Sequence, residues 1–462
     1  MFVKRVFGML AIVSMVPVST MAETLVLSKE GALARALERN LGIKIEQSQL
    51  TIAEQGIELE KGAFDPTVSA SFTARDLDGQ NADSVSAGID GLTSTGGSYS
   101  VGVSSDERFS APNRFDSFAG VSFRQPLLRN FGFEQNLAAL RIARYQFDLS
   151  EWEYKQVLLD TLASTVFAFN NLYEAQENLL SAMDSRDLAQ QLVKDNEKRV
   201  ELGAIPRLDI VEAEAQLASR EERVLSATNF VLRSQNLLKQ LIFDDAVEAL
   251  NTELEVTPYV EPIVSADFDT YLASLLENSP GFHIGEIALE IARLRHMRDK
   301  NGTLPSLDLI AQYGFSGSGG SLGGSIENAI RDGDDSYSIG ASFSFPVFNR
   351  SARAREAISN QRLRIAETDL QSIKQAIQLE FHTSYETMQT NYQRVEATRK
   401  ARELAELSLE AENKKFNAGT SSTFFVLRLQ TDLTQAQLRE TSAIANYNRS
   451  VADFNRLRGV LE

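Results

Sequence analysis

Two long stretches, Phe133 to Leu202 and Val347 to Ala418, contain neither glycine nor proline, and each ends at a glycine that opens a second helical run poor in breakers. At about 1.5 Å rise per residue, a helix filling either stretch is on the order of 100 Å long, several times the width of a compact domain. Such a helix is more than three times longer than the roughly 30 Å hydrocarbon core of a bilayer. Both stretches also carry charges every few residues. They are therefore expected to stand in water, with some other structure at their ends.

The N-terminus reads as an export signal over residues 1–22: Lys4 and Arg5, an apolar run from Val6 to Val18, then small residues placing cleavage between Ala22 and Glu23. The formal charge is −17, and −19 once Lys4 and Arg5 are removed, which argues against nucleic acid and anionic lipid surfaces as partners. With no cysteine, the chain has no disulfide framework, thiolate metal site, cysteine nucleophile or lipidated N-terminal cysteine. No later segment is apolar enough for a spanning helix, leaving periplasm, medium or outer membrane as destinations.

The chain is written twice. Sliding it by 216 positions sets Gly203 on Gly419, Phe169 on Tyr385, Leu172 on Met388, Val211 on Leu427 and Leu238 on Phe454. The starts of the halves also align, Gly42 on Gly281 and Pro66 on Pro305. The first half is residues 23–243, with a strand region at 66–126 and a long helical hairpin at 133–243 whose tip is at 203. A segment at 244–267, with Pro258 and Pro262, links it to the second half, 268–462. There the strand region is 305–346 and the hairpin 347–458, with its tip at 419.

Alternation predicts strands at Thr67–Ala74, Phe118–Phe123, Ser306–Ala311 and Tyr337–Phe345, with an added pair in the first half near Ser84–Ile89 and Ser98–Val103. Gly314 to Gly324 reads as a mobile polar loop. On the helices, Leu158, Leu162, Val166, Phe169, Tyr173, Leu180 and Met183 recur at three and four, as do Ile373, Ile377, Phe381, Tyr385, Met388, Tyr392 and Val395; both stripes are packing seams. Four amphipathic strands cannot stay open in lipid, where every unpaired backbone group at an edge costs several kcal/mol. A closed barrel needs about eight or more, so several copies must share one. A soluble β-hairpin on a coiled-coil stalk is the competing structural reading.

The strand-to-helix junction Phe123-Arg124-Gln125-Pro126-Leu127-Leu128-Arg129-Asn130-Phe131-Gly132 is mirrored by Phe343-Ser344-Phe345-Pro346-Val347-Phe348-Asn349-Arg350. The tips, Arg199 to Ala213 and Lys415 to Leu427, and the early Ala36-Leu37-Glu38-Arg39-Asn40 before Gly42 complete a pattern that resembles the TolC-like outer-membrane efflux proteins. The resemblance covers nearly all of the chain after the leader. It implies a mainly α fold with a membrane β-barrel, made of two repeats of helix, strands and long helical hairpin. It further implies a homotrimer with a twelve-stranded barrel in outer-membrane lipid and an α-helical periplasmic tunnel. The implied function is the exit duct of a tripartite efflux pump, working with a periplasmic adaptor and an inner-membrane transporter of the RND or ABC class. A duct for type I protein secretion fits equally, and the sequence does not separate the two. A periplasmic adaptor would show one hairpin flanked by β domains, and a coiled-coil filament leaves the strands unexplained.

At the tips, Asp209 and Glu212 share one helix face. Two readings stand: a carboxylate ring favouring cations, or complements to the helix dipole. The family's second-copy tip carries paired aspartates with a tyrosine and an arginine that latch the closed state; the matching positions here are Phe425, Arg428, Phe416 and Ser421. Phe416, Phe424 and Phe425 are accordingly expected to form an apolar constriction. Val200, Leu202, Gly203, Ala204, Phe416, Ala418 and Gly419 are the expected adaptor contacts. His283, His296 and His382 lie far apart with no ligand spacing, and no phosphate loop occurs, so neither cofactor nor enzyme chemistry is expected.

Overall fold

The computed structural model describes residues 23–77, 80–81, 83–108, 114–203, 206–263 and 268–460; the expected leader lies outside them. In chain order these form β1 (Glu23–Leu27), α1 (Lys29–Arg39), α2 (Leu41–Lys61), β2 (Thr67–Thr73), β3 (Asp76–Leu77), β4 (Gln80–Asn81), β5 (Ser84–Leu92), β6 (Ser98–Glu107) and β7 (Phe115–Pro126). There follow α3 (Phe133–Asn136), α4 (Ala138–Glu201), α5 (Leu208–Ile242), α6 (Ala246–Asn251), β8 (Thr252–Val256), α7 (Phe268–Asn278) and α8 (Pro280–Asn301). The chain continues with β9 (Ser306–Gly319), α9 (Leu322–Arg331), β10 (Asp334–Ser344), α10 (Arg350–Asn417) and α11 (Thr423–Arg458). Among the described residues, no helix is long and apolar enough to cross a membrane.

Two compact units emerge, one drawing on the chain up to Leu41, Thr161–Val264 and Thr387–Asp453, the other on Gly42–Asp160, Ser265–Glu386 and the chain from Phe454. In the first unit, β1 and β8 pair in parallel, Leu25 opposite Leu254, over a core of Phe169, Leu172 and Tyr173 from α4 and Leu238 and Ile242 from α5. Residues 244–267 are therefore more than a linker, because they contain α6 and β8, and Leu254 and Val256 of β8 belong to that core. Polar residues close the same core: Asn448 donates to Asn170 Oδ1 at 2.9 Å and to the Tyr259 carbonyl at 3.0 Å. Burial pushes the Tyr259 phenol well above its ordinary pKa and the Tyr173 phenol up to about 12, so both stay neutral at any physiological pH, and the Tyr259 hydroxyl accepts from Asn170 Nδ2 at 2.7 Å.

The seam stripes pack in part. Val166, Phe169, Tyr173, Phe381, Met388 and Val395 are buried, whereas Leu180 and Met183 are exposed. The expected unbroken helix from Phe133 is interrupted at Leu137, which leaves helical geometry between α3 and α4. In the second unit, α10 starts only at Arg350, after Asn349 takes a left-handed φ of 43°.

The second unit holds a six-stranded antiparallel sheet in the order β10-β9-β7-β6-β5-β2. It comprises the two strands of each half and the added pair, β5 and β6. The polar loop expected from Gly314 to Gly324 is not there: β9 runs on to Gly319, and α9 then folds back onto the sheet. Gly317 and Gly319 serve close contact with α9. A Cβ at Gly317 would stand 2.3 Å from the Ala329 nitrogen of α9, a separation the backbone of two packed elements reaches only without a side chain. Beneath α9, buried Ser117 donates to Ser325 Oγ at 2.7 Å, and the Ser105 and Ser325 hydroxyls lie 3.1 Å apart.

Candidate channel wall and helix tips

The sheet has two chemically distinct faces because side chains alternate along every strand. Pairing across β5, β6, β7 and β9 sets Asp90 beside Ser100, Ser100 beside Ser122, and Ser122 beside Gln312 on one face. The other face carries Ile89 beside Val101, Val101 beside Val121, and Val121 beside Tyr313. On the polar face, one row reads Ser69, Gly88, Gly102, Gly120, Gly314 and Ser336 across all six strands. A Cβ on Gly102 would lie 2.4 Å from the Ala87 carbonyl oxygen, and one on Gly120 2.4 Å from that of Tyr313. From Gly88 to Gly314 the row is thus a crease in which neighbouring backbones approach too closely for a side chain, the device that bends a sheet toward closure. The Phe118 ring lies across the crease, its Cζ in the space a Cβ on Gly120 or Gly314 would need.

In the other unit, both helical hairpins turn at a glycine in the left-handed region, Gly203 at φ 71° and Gly419 at φ 76°. At the second, the Gly419 N–H donates to the Phe416 carbonyl at 3.1 Å and the Thr420 N–H to that of Lys415 at 3.0 Å, the paired bonds of a Schellman cap. Ser421 and Lys415 both donate to the Glu412 carboxylate across this turn. Asn196, fully buried, donates from Nδ2 to the Asp209 carbonyl at 3.3 Å and lies 3.5 Å from the Thr423 hydroxyl, tying the two tips together. The Arg199 guanidinium stands 3.9 Å from the Phe416 ring centroid.

The sequence profile of the family described as outer membrane efflux protein matches residues 32–242 and 271–460. The chain belongs to the outer membrane efflux protein family. Among similar proteins, the outer membrane efflux protein BepC of Brucella suis is 20% identical over 413 residues, covering 88% of this chain and 80% of BepC. The outer membrane protein TolC of Escherichia coli is 22% identical over 344 residues, 69% of this chain and 68% of TolC. The crystal structure of the Campylobacter jejuni CmeC outer membrane channel superposes with a TM-score of 0.73 at 16% identity, covering 93% of this chain and 85% of that one. In a strand wall set in lipid, an apolar face suits the lipid side and a polar face the conduit.

As a member of that family, the chain presents its expected site residues unevenly. Leu202 is 83% exposed, Gly203, Ala418 and Gly419 are exposed and Val200 is half-buried; Ala204 lies outside the described residues. Phe424 and Phe425 are exposed with rings edge to face at 5.6 Å, and Arg428 is exposed beside them. Asp209 is half-buried in the first turn of α5, and Glu212 is exposed. Phe416 departs from its expected place. It is 7% exposed, packed with Leu192, Val426 and Leu427 beneath Arg199, and so holds the tip together instead of presenting a contact surface. Of the expected cleavage site, Glu23 opens β1 and Ala22 lies outside the described residues. Among the described residues, no group of three or more His, Asp or Glu side chains could hold a metal ion.

The Glu412 clasp at the second tip has only a weak signature in the sequence. Its available signal was the acidic residue one helical turn and more before a Gly-Thr-Ser-Ser run. The Ser421 and then the Lys415 hydrogen bond hold the Glu412 carboxyl below its ordinary value of 4.5. A carboxylate with a depressed folded pKa stabilises above its unfolded value and loses that contribution as pH falls through the folded one. Amide-exchange protection at Thr420 to Thr423 should thus be flat from neutral pH down to about 5 and fall only below the ordinary glutamate range near 4.3. Glu412→Gln should abolish that pH dependence; an unchanged profile in the variant would remove the clasp.

Proposed function

We propose that three copies of this chain form a passive exit duct, with the strands in the outer membrane and the helical hairpins in the periplasm. A periplasmic adaptor joins the duct to an RND or ABC transporter in the inner membrane, and small molecules leave through it without chemical change. The carrying observation is the amphipathic sheet whose outer strands, β2 and β10, each have one unpaired edge. Such edges are intolerable in lipid and are satisfied only by further copies. The exposed stripe Ile45, Ile52 and Leu59 on α2 recurs at heptad spacing and gives neighbouring copies a second seam. A deletion strain tested for drug sensitivity and for loss of secreted proteins decides between efflux and secretion. Recovery of the protein from soluble periplasm without detergent would refute the duct itself.

At the tips, the proposed gate is apolar and built from Phe424 and Phe425, with Asp209, Glu212 and Arg428 as its charged surround. Phe425→Ala is expected to raise single-channel conductance several-fold and to admit large antibiotics; conductance and leakage equal to wild type would exclude Phe425 from the gate. The proposed adaptor surface is Val200, Leu202, Gly203, Ala418 and Gly419. Among the described residues, a Cβ at Gly203 meets nothing within 4 Å, so there a large side chain is opposed only by the left-handed backbone, about 1–2 kcal/mol. Gly203→Trp should leave trimers intact and abolish efflux, and unaffected drug resistance would count against the contact.

A further inference from the structure

The sheet contains more strands than the duct requires. Four per chain would close twelve in a trimer, but six are hydrogen-bonded here in unbroken antiparallel register. We propose that three copies close a barrel of eighteen strands, with β2 of each copy pairing antiparallel to β10 of the next. The proposal rests on the trimeric duct and adds the composition of its wall.

Three observations carry it. The first is the alternation on the added pair. On β5 and β6, Ser86, Asp90, Ser100 and Ser104 share the polar face, while Ile89 and Val101 share the apolar face with Val121 of β7. A hairpin folded into the conduit as a plug has no use for a continuous outward apolar face, whereas a lipid-facing pair requires one. The second is the anchoring of its turn. The Thr95 hydroxyl donates to Gln125 Oε1 at 3.1 Å, Gln125 Nε2 donates to the Thr95 carbonyl at 3.2 Å, and so does the Gly132 N–H at 3.1 Å. These bonds tie the β5–β6 turn to the junction where β7 hands over to the helices. Gly96, at φ 91°, sits so close to this junction that a Cβ would stand 2.2 Å from the Asn130 carbonyl oxygen. The added hairpin is therefore locked into the wall at its helix-side end.

The third observation is the polarity of the edges. Five successive antiparallel steps separate β10 from β2, so the two edge strands run in opposite senses and a β2–β10 junction between copies is itself antiparallel. Their outward residues already suit lipid, with Val68 and Phe72 on β2 and Ile339 and Phe343 on β10 all well exposed. Barrel diameter grows roughly linearly with strand number, so eighteen strands enclose a conduit about 1.5 times wider than twelve. The crease of glycines would lie on its inner wall, with the Phe118 ring across it.

Electron cryomicroscopy of the full-length protein in lipid nanodiscs tests the count, with threefold particles of eighteen strands expected. Threefold particles with twelve would overturn this proposal and leave the duct standing; particles without threefold symmetry or without a barrel would overturn the duct as well. Because the chain lacks cysteine, single labels give an independent reading. A fluorophore on Val101→Cys in β6 should be quenched by nitroxide lipids as strongly as one on Val121→Cys in β7. Quenching of the Val101 label by aqueous quenchers alone would remove β5 and β6 from the wall.

Discussion

Phe454→Ala is expected to lower stability by about 3–5 kcal/mol, the cost of emptying a fully buried aromatic site. Phe454 is 0% exposed near the end of α11, and its ring stacks on that of Phe381 with centroids 5.2 Å apart. Tyr271 meets it edge-on at 5.7 Å and Tyr385 tilted at 6.0 Å, while Phe268 stacks on Phe381 at 5.7 Å. The Arg458 guanidinium covers the cluster, 4.0 Å from the Tyr271 centroid. Rings drawn from α7, α10 and α11 cannot collapse together into the space one of them leaves, so most of the cavity persists. The midpoint of denaturant unfolding in detergent should fall sharply for Phe454→Ala and much less for Phe454→Leu. Equal, small shifts in both variants would show that the ring is not the keystone of this cluster.

The second large effect separates the two faces of the wall. In the proposed duct, Val121→Arg places a cation on the lipid side of β7, at a cost of about 2–4 kcal/mol per copy near the midplane. In an oligomer that cost is incurred in every subunit, so the variant should be nearly absent from the outer membrane. Its neighbour Ser122 lies on the opposite face, between Ser100 and Gln312. Ser122→Arg should assemble at normal abundance and shift ion selectivity toward anions, as rings of arginine do. Quantified membrane abundance and reversal potentials check both; equal abundance of the two variants would invalidate the assignment of faces.

Much of the architecture could be read from the residues because it follows from periodicity. Runs without glycine or proline became α4 and α10, alternation marked β2, β5, β6, β7, β9 and β10, and both tip glycines took the left-handed conformation. What escaped depends on partners distant in sequence. β8 lies in the connecting segment ahead of Pro258 and Pro262, and nothing local reveals that Thr252 to Val256 will pair with Glu23 to Leu27. The segment from Gly314 carries loop composition, yet Gly317 and Gly319 let α9 lie directly on β9. Phe416 had the look of a gate residue from its place beside Gly419, and only the fold brings Leu192 and Arg199 onto it.

Duplication suggests two interchangeable tips, yet matching positions have diverged in environment. Leu427 is 7% exposed, whereas its counterpart Val211 is 58% exposed. A seam position in one copy has become surface in the other, so each hairpin end is free to answer to a different neighbour.

The glycine crease couples its members. Each strand there has settled against a neighbour that offers no side chain, so restoring a Cβ to one position pushes on the next backbone, and that displacement is handed along the row. Substitutions within it should consequently be sub-additive, the first forcing most of the rearrangement that a second would need. Gly88, Gly102, Gly120 and Gly314 are thus expected to respond as one mechanical unit, not as four independent sites.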